Sequence, residues 1–224
     1  MDRRFIGILV GLVVIFGAIF LFTQKSDNSS GGSNNATNHV TGQGKSGVTL
    51  VEYGDYECPV CEAYQPTIQA VQKKYNKQVF FQFRNLPLSS IHPNALAGAR
   101  AAEAAGLQNK FWQMHDLLYS PNNWASWSPA TDTNPQKYFD AYAKQLGLDT
   151  VVFDKDFASS QVNDSINADI AAFQKTGQQQ ATPSYFVDGT YVDNAKLIDP
   201  TTQQPTVAQF SKVIQAAIDA KAKQ

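Results

Sequence analysis

Cysteine is scarce in this 224-residue chain: there are two, Cys58 and Cys61, three positions apart. No long loop can be closed by a disulfide within the chain, so whatever the pair does is local. Neither sign of charge is in excess, with 18 basic and 19 acidic residues giving a net charge of -1. That balance excludes a global field that would recommend nucleic acid or an anionic membrane surface as a partner. Histidine is limited to His39, His92 and His115. A zinc ion wants about four ligands, and no second cysteine pair stands ready to complete the first, so neither a metal nor a cofactor is expected. What is present is a hydrophobic content of 43%, enough for one medium domain with a core of its own.

The N-terminus reads as a membrane anchor. Residues 1–4 carry two arginines, and residues 5–22 run eighteen positions without a charge, which at roughly 1.5 Å per residue nearly crosses a hydrocarbon core of about 30 Å. A cleaved signal peptide is the rival, but Thr23-Gln24-Lys25 supplies no small-x-small cleavage site. Arg3 and Arg4 should stay in the cytoplasm, which places the rest of the chain outside it. Residues 23–46 are Ser, Gly, Asn, Thr and Gln with almost nothing apolar; such a composition predicts a flexible linker, followed by one domain over 47–224.

Within that domain, Val48 to Tyr53 predicts a strand ended by Gly54-Asp55. Val60, Tyr64, Ile68, Val71 and Tyr75 recur as the single apolar stripe of a helix, with Pro59 in its first turn and Pro66 as an expected kink. Val79 to Arg84 is a second strand, parallel to the first by the handedness of such crossovers. Helical patterns follow from Pro93 to Leu107, through Phe111 to Leu118, Tyr138 to Leu146 and Val162 to Phe173, while Pro121 to Pro135 shows no period and reads as a loop. Ser184 to Val187 and Thr190 to Val192 form a hairpin about Asp188-Gly189, and Val207 to Ala217 closes with an amphipathic helix. The order is β-α-β, a helical insertion over about 88–177, then β-β-α.

Cys58-Pro59-Val60-Cys61 stands where a strand gives way to a helix N-terminus. Unpaired N–H groups and the partial positive charge there stabilise a thiolate on the first cysteine. The two-residue gap lets the sulfurs close a small ring. The first sulfur should be exposed at the helix tip and the second point inward, which makes Cys58 the reacting atom and Cys61 its resolving partner. A purely structural bridge across four residues would constrain little chain.

Val51 to Cys61 (Val-Glu-Tyr-Gly-Asp-Tyr-Glu-Cys-Pro-Val-Cys), Leu86-Pro87-Leu88 with His92-Pro93, Phe111-Trp112-Gln113-Met114-His115, and Ala181-Thr182-Pro183-Ser184-Tyr185-Phe186-Val187-Asp188-Gly189 occur in one order. In that order they resemble the thioredoxin superfamily, and its DsbA-like branch most closely, from about Val48 to the C-terminus. The resemblance implies a thioredoxin fold with a helical insertion and a protein thiol-disulfide oxidoreductase. It implies a cis Pro183, although from local sequence alone a trans bond is the rule, with Thr182 offering its backbone to an extended client. It also places Glu52 where the superfamily keeps a buried acid that exchanges protons with the inner thiol; the residue itself reads equally well as a surface glutamate on an edge strand. His92 and His115 read as structural. Trp124 and Trp127 read as core packing of the insertion, with a client rim as the other use for them.

The activity so implied is donation of the Cys58–Cys61 disulfide to reduced client proteins outside the cytoplasm, with a quinone-linked membrane reoxidase of the DsbB or vitamin-K-epoxide-reductase type as partner. The alternatives are a reductase or isomerase using the same residues, and a non-catalytic peptide-binding module. Val60 stands where the strongest oxidants of this branch have histidine, and Asp55, Glu57 and Glu62 add negative charge nearby. Both features are expected to push the pKa of Cys58 up relative to that subgroup.

Overall fold

The computed structural model describes residues 35–129 and 134–223. Five strands form one sheet in the order β1-β3-β2-β4-β5: β1 is His39–Thr41, β2 Val48–Gly54, β3 Val79–Asn85, β4 Ser184–Val187 and β5 Thr190–Val192. β2 and β3 are parallel and joined by helix α1, Pro59–Tyr75. β4 returns antiparallel on the other side of β2, and β5 pairs antiparallel with β4. Asp188 and Gly189 turn that hairpin with φ of 48° and 80°, the double left-handed conformation of a turn matched to strand twist.

Between β3 and β4 lie the insertion helices α2 (Ala95–Leu107), α3 (Phe111–Tyr119), α4 (Pro121–Trp127), α5 (Gln136–Gln145), α6 (Thr150–Phe157) and α7 (Ser160–Gln174); α8 (Val207–Lys221) follows the hairpin. Two cores result. The apolar stripe of α1 (Tyr64, Ile68, Val71, Tyr75) meets Phe210 and Ile214 of α8 over Val48, Leu50, Phe81, Tyr185 and Val187 of the sheet. The alanine face of α2 meets Met114, Leu118, Trp127, Phe139 and Ile166 in the insertion, and this second core also takes in Tyr56, Phe83 and both cysteines. The cysteines therefore sit on the seam where the insertion joins the sheet.

Three expectations change. Residues 39–41, placed by composition in the linker, form β1 on the edge of the sheet. Polar anchors hold the strand where apolar residues are few: the Asp169 carboxylate accepts the Thr37 N–H at 2.7 Å and its hydroxyl at 2.8 and 2.9 Å. His39 bonds Glu103 at 2.9 Å and stacks on Phe111 at 3.5 Å. The expected loop after Pro121 begins as the helix α4, because Trp127 is buried and Trp124 half-buried against the insertion: their indole N–H groups donate to the Leu118 and Tyr56 carbonyls at 3.0 and 2.9 Å. The helix α6, not anticipated, is capped by Asp149, whose side chain accepts the N–H groups of Val151 and Val152. The anchor expected over 5–22 lies outside the described residues; among those described, no helix is long and apolar enough to cross a membrane.

Candidate active site

The chain leaves β2 at Gly54, where a side chain has no room: a Cβ there would lie 2.5 Å from the Phe83 ring. Residues 55–58 then turn into α1. The Asp55 carbonyl accepts the Cys58 N–H at 3.1 Å, and Cys58 itself takes the N-cap position with φ -68° and ψ 121°. An N-cap side chain normally accepts from the N–H groups two and three residues on. Here those belong to Val60 and Cys61; the Cys58 side chain makes no cap hydrogen bond, and the two N–H groups act instead by favouring its ionised form.

The result is an acidic thiol beside a suppressed one. Cys58 is lowered to about 6, first by hydrogen bonding from the Cys61 thiol and, against the opposing effect of burial, by the Thr182 side chain and the N–H groups of Cys61 and Val60. Cys61 is raised well above the usual thiol range by burial, and then by the hydrogen bond and charge of Cys58 and the charge of Glu52. In the dithiol form the Cys58 thiol donates to the Thr182 carbonyl at 3.6 Å. Once ionised it needs donors instead, and the Thr182 hydroxyl, buried with no other partner, supplies one.

Burial corrects one expectation. Cys58 is only 5% exposed and Cys61 0%, so the first sulfur is not open at the helix tip; Tyr56, Thr182 and the insertion close around it, leaving the more exposed Val60 at the rim. Of the neighbouring acids, Asp55 and Glu57 carry hydrogen bonds of their own, and none is among the main causes of the Cys58 shift. Asp55 accepts from His92, Leu88 and Glu57, and Glu57 accepts the Asn94 N–H at the start of α2.

Of the two readings of Glu52, the structure has the buried one. It lies on the central strand β2 between Phe83 and Tyr185, 6% exposed, with Oε1 lacking a hydrogen-bond partner. Burial raises its pKa to about 8, the nearby Tyr185 hydroxyl pulls it partly back, and the Cys58 charge adds to the rise. A carboxyl with that midpoint, coupled to the Cys61 sulfur, can hold or release a proton near neutral pH. Pro183 follows Thr182 through a cis peptide bond, and its carbonyl accepts from Asn194 at 2.9 Å. His115 is buried among Tyr56, Phe83, Trp112 and Tyr119. His92 faces Asp55, a pairing with no signal in the spacing because 37 residues separate them. Among the described residues no group of three or more His, Cys, Asp or Glu side chains is placed to hold a metal.

Two sulfurs at a helix tip, one acidified and one buried, have thiol-disulfide exchange as their natural chemistry, and on this sheet they define a thioredoxin-fold thiol-disulfide oxidoreductase. Comparison with known proteins agrees. The thioredoxin family model matches residues 34–216, and the chain belongs to that family. A thioredoxin-like oxidoreductase from Silicibacter pomeroyi is 26% identical, with a TM-score of 0.61 over 84% of this chain and 93% of that one. The α-DsbA1 protein of Wolbachia pipientis shares the fold at 18% identity, with a TM-score of 0.66 over 83% of this chain and 93% of its own. Within the family the chain is a thiol-disulfide oxidoreductase with a DsbA-like fold. A Na(+)/H(+) antiporter NhaA 1 of Mycolicibacterium gilvum is 35% identical over 153 residues, 67% of this chain. The chain spans only 23% of that protein's length, so the name describes a larger whole.

Proposed function

We propose that this protein donates its Cys58–Cys61 disulfide to reduced client proteins outside the cytoplasmic membrane, to which residues 5–22 anchor it. The observation that carries this reading is the placement of Cys58 at the N-cap of α1 against Thr182, with Cys61 fully buried behind it, an arrangement that lowers the Cys58 pKa to about 6 and raises that of Cys61. A client thiolate attacks the Cys58 sulfur; the Cys58–Cys61 bond breaks, and Cys61 leaves as a thiolate that takes a proton from Glu52. A second client thiolate then attacks the client sulfur of the mixed disulfide. The client disulfide forms and Cys58 departs as a thiolate, a good leaving group because it is acidic. The client is oxidised and the Cys58–Cys61 pair reduced, so turnover needs an electron acceptor, for which a quinone-linked membrane reoxidase is the proposed partner. Thr182 and the cis Pro183 form the edge along which an extended client segment lies. That a domain of this kind also forms part of antiporters supports work at a membrane.

Direction is tested by the resting redox state: acid quenching of cells, alkylation of the free thiols and mass measurement of the intact chain. The disulfide form should predominate. A predominantly dithiol pool would make the protein a reductase or isomerase, and client binding that survives replacement of both cysteines by serine would make it a binding module.

A further inference from the structure

Asp55 lies three residues before Cys58 with its side chain fully buried. Three donors meet its carboxylate: the Glu57 N–H on Oδ1 at 2.8 Å, and the Leu88 N–H at 2.8 Å and His92 Nδ1 at 2.7 Å on Oδ2. An ionised carboxylate only accepts, so Nδ1 carries the proton. The main chain of the same residue holds both cysteines, its carbonyl accepting the Cys58 N–H and its N–H lying on the Cys61 sulfur. Of the three donors only His92 is a side chain. It comes from the segment between β3 and α2 and is 17% exposed, whereas the carboxylate it meets faces inward, close enough to the buried Tyr119 hydroxyl to act on it along with Cys61 and Glu52. The other charged group beside the pair is Glu57, on which Asp55 and His92 act with opposite sign.

We propose that His92 is a positioning residue for the thiol chemistry: its imidazole compensates the buried Asp55 carboxylate and fixes the turn that presents Cys58, so that this negative charge does not oppose the thiolate. Without His92 the buried Asp55 carboxylate would keep only its two main-chain donors, and an under-compensated anion would then lie near Glu52 and both sulfurs. Like charges in a buried site disfavour further ionisation. The residue that sets thiolate stability would thus belong to the insertion side of the seam, outside the C-x-x-C segment. This rests on Cys58 being the reacting thiol.

The test is the pH dependence of Cys58 alkylation in the full chain, followed by mass so that Cys61 is scored separately. His92→Leu should raise the midpoint by about one unit, the size of shift a nearby like charge produces. His92→Asn, whose amide nitrogen can stand in for Nδ1, should return most of it, and Asp55→Asn in the leucine background should abolish the rise. An unchanged midpoint in His92→Leu, or a rise that survives in the double variant, overturns the proposal and leaves the Cys58 reading intact. A wild-type midpoint near the free value of about 8.5 overturns both. Should His92→Leu not fold, Asp55→Asn alone decides: a small shift supports compensation of the carboxylate, and a fall of about a unit or more overturns it.

Discussion

If Cys58 is a thiolate stabilised at the tip of α1, the dithiol form must gain stability relative to the disulfide form as pH rises. The thiol titrates at about 8.5 in an unfolded chain and at about 6 in the folded one. A depressed acid contributes stability that is complete above the unfolded value and is lost as pH falls through the folded value. Fully felt, this shift is worth about 0.4 kcal/mol at pH 6, about 1.4 at pH 7 and about 3 at pH 9. Cys58 is not wholly sealed from water, which screens part of the effect, so a gain of about 1–2 kcal/mol across that range is the figure to test. Opposing it is the constraint of a disulfide across four residues, about 2 kcal/mol in favour of the oxidised form and nearly independent of pH. Glu52, raised to about 8, costs stability increasingly as pH climbs from the usual carboxyl range, but it does so in both forms and largely cancels from their difference.

The oxidised chain should therefore melt higher near pH 6, and the reduced chain should close the gap or overtake it near pH 9. At about 2–4 °C per kcal/mol for a chain of this size, the gap should move by about 2–8 °C. The assay is thermal unfolding of the full chain, fully oxidised or held reduced, followed by circular dichroism at several pH values. A gap that stays constant with pH, or one that moves in favour of the disulfide, would show that the folded state does not stabilise the Cys58 thiolate, and the oxidase reading would lose its physical basis.

Cys58→Ser should abolish dithiol-dependent turnover, whereas Cys61→Ser should accumulate mixed disulfides on Cys58, since no other thiol in the chain can expel the client; the two are distinguished on non-reducing gels, and trapping by Cys58→Ser instead would reverse the roles. Glu52→Gln removes a buried acid that is protonated in the fold but ionised when unfolded at neutral pH, so it should stabilise the protein by about 2–3 kcal/mol at pH 7 and by little near pH 4, while slowing release of Cys61 in stopped-flow exchange. Thr182→Val deletes a donor to the Cys58 thiolate and should raise the alkylation midpoint of Cys58 by about half a unit to one unit; an unchanged midpoint would remove the hydroxyl from the account. Gly98→Ala would bring a methyl group to 2.9 Å from the Tyr56 Cβ and 3.0 Å from the Trp127 ring, overpacking the seam at a cost of about 1–3 kcal/mol, measurable by urea unfolding.

Periodicity and local chemistry decide much of this protein without tertiary help. The stripe Tyr64-Ile68-Val71-Tyr75, the β-branched and aromatic residues of β2 and β3, the Asp188-Gly189 turn and the cysteine pair after a strand are short-range signals, because helix period, strand alternation and turn conformation are set by neighbours in the chain. Asp149, the N-cap of α6, is a local signal of the same kind. What sequence could not decide are the contacts made at a distance. β1 is held by Asp169 and Glu103, 132 and 64 residues away from their partners, so a composition that counts only apolar residues assigns it to a linker. Glu52 was equally a surface or a buried residue until the sheet order put β2 in the centre. The acids near Cys58 show the same limit: Asp55 and Glu57 count as anions in the sequence, but an anion's influence depends on where its partners are. Only the fold brings His92 and the start of α2 to meet them.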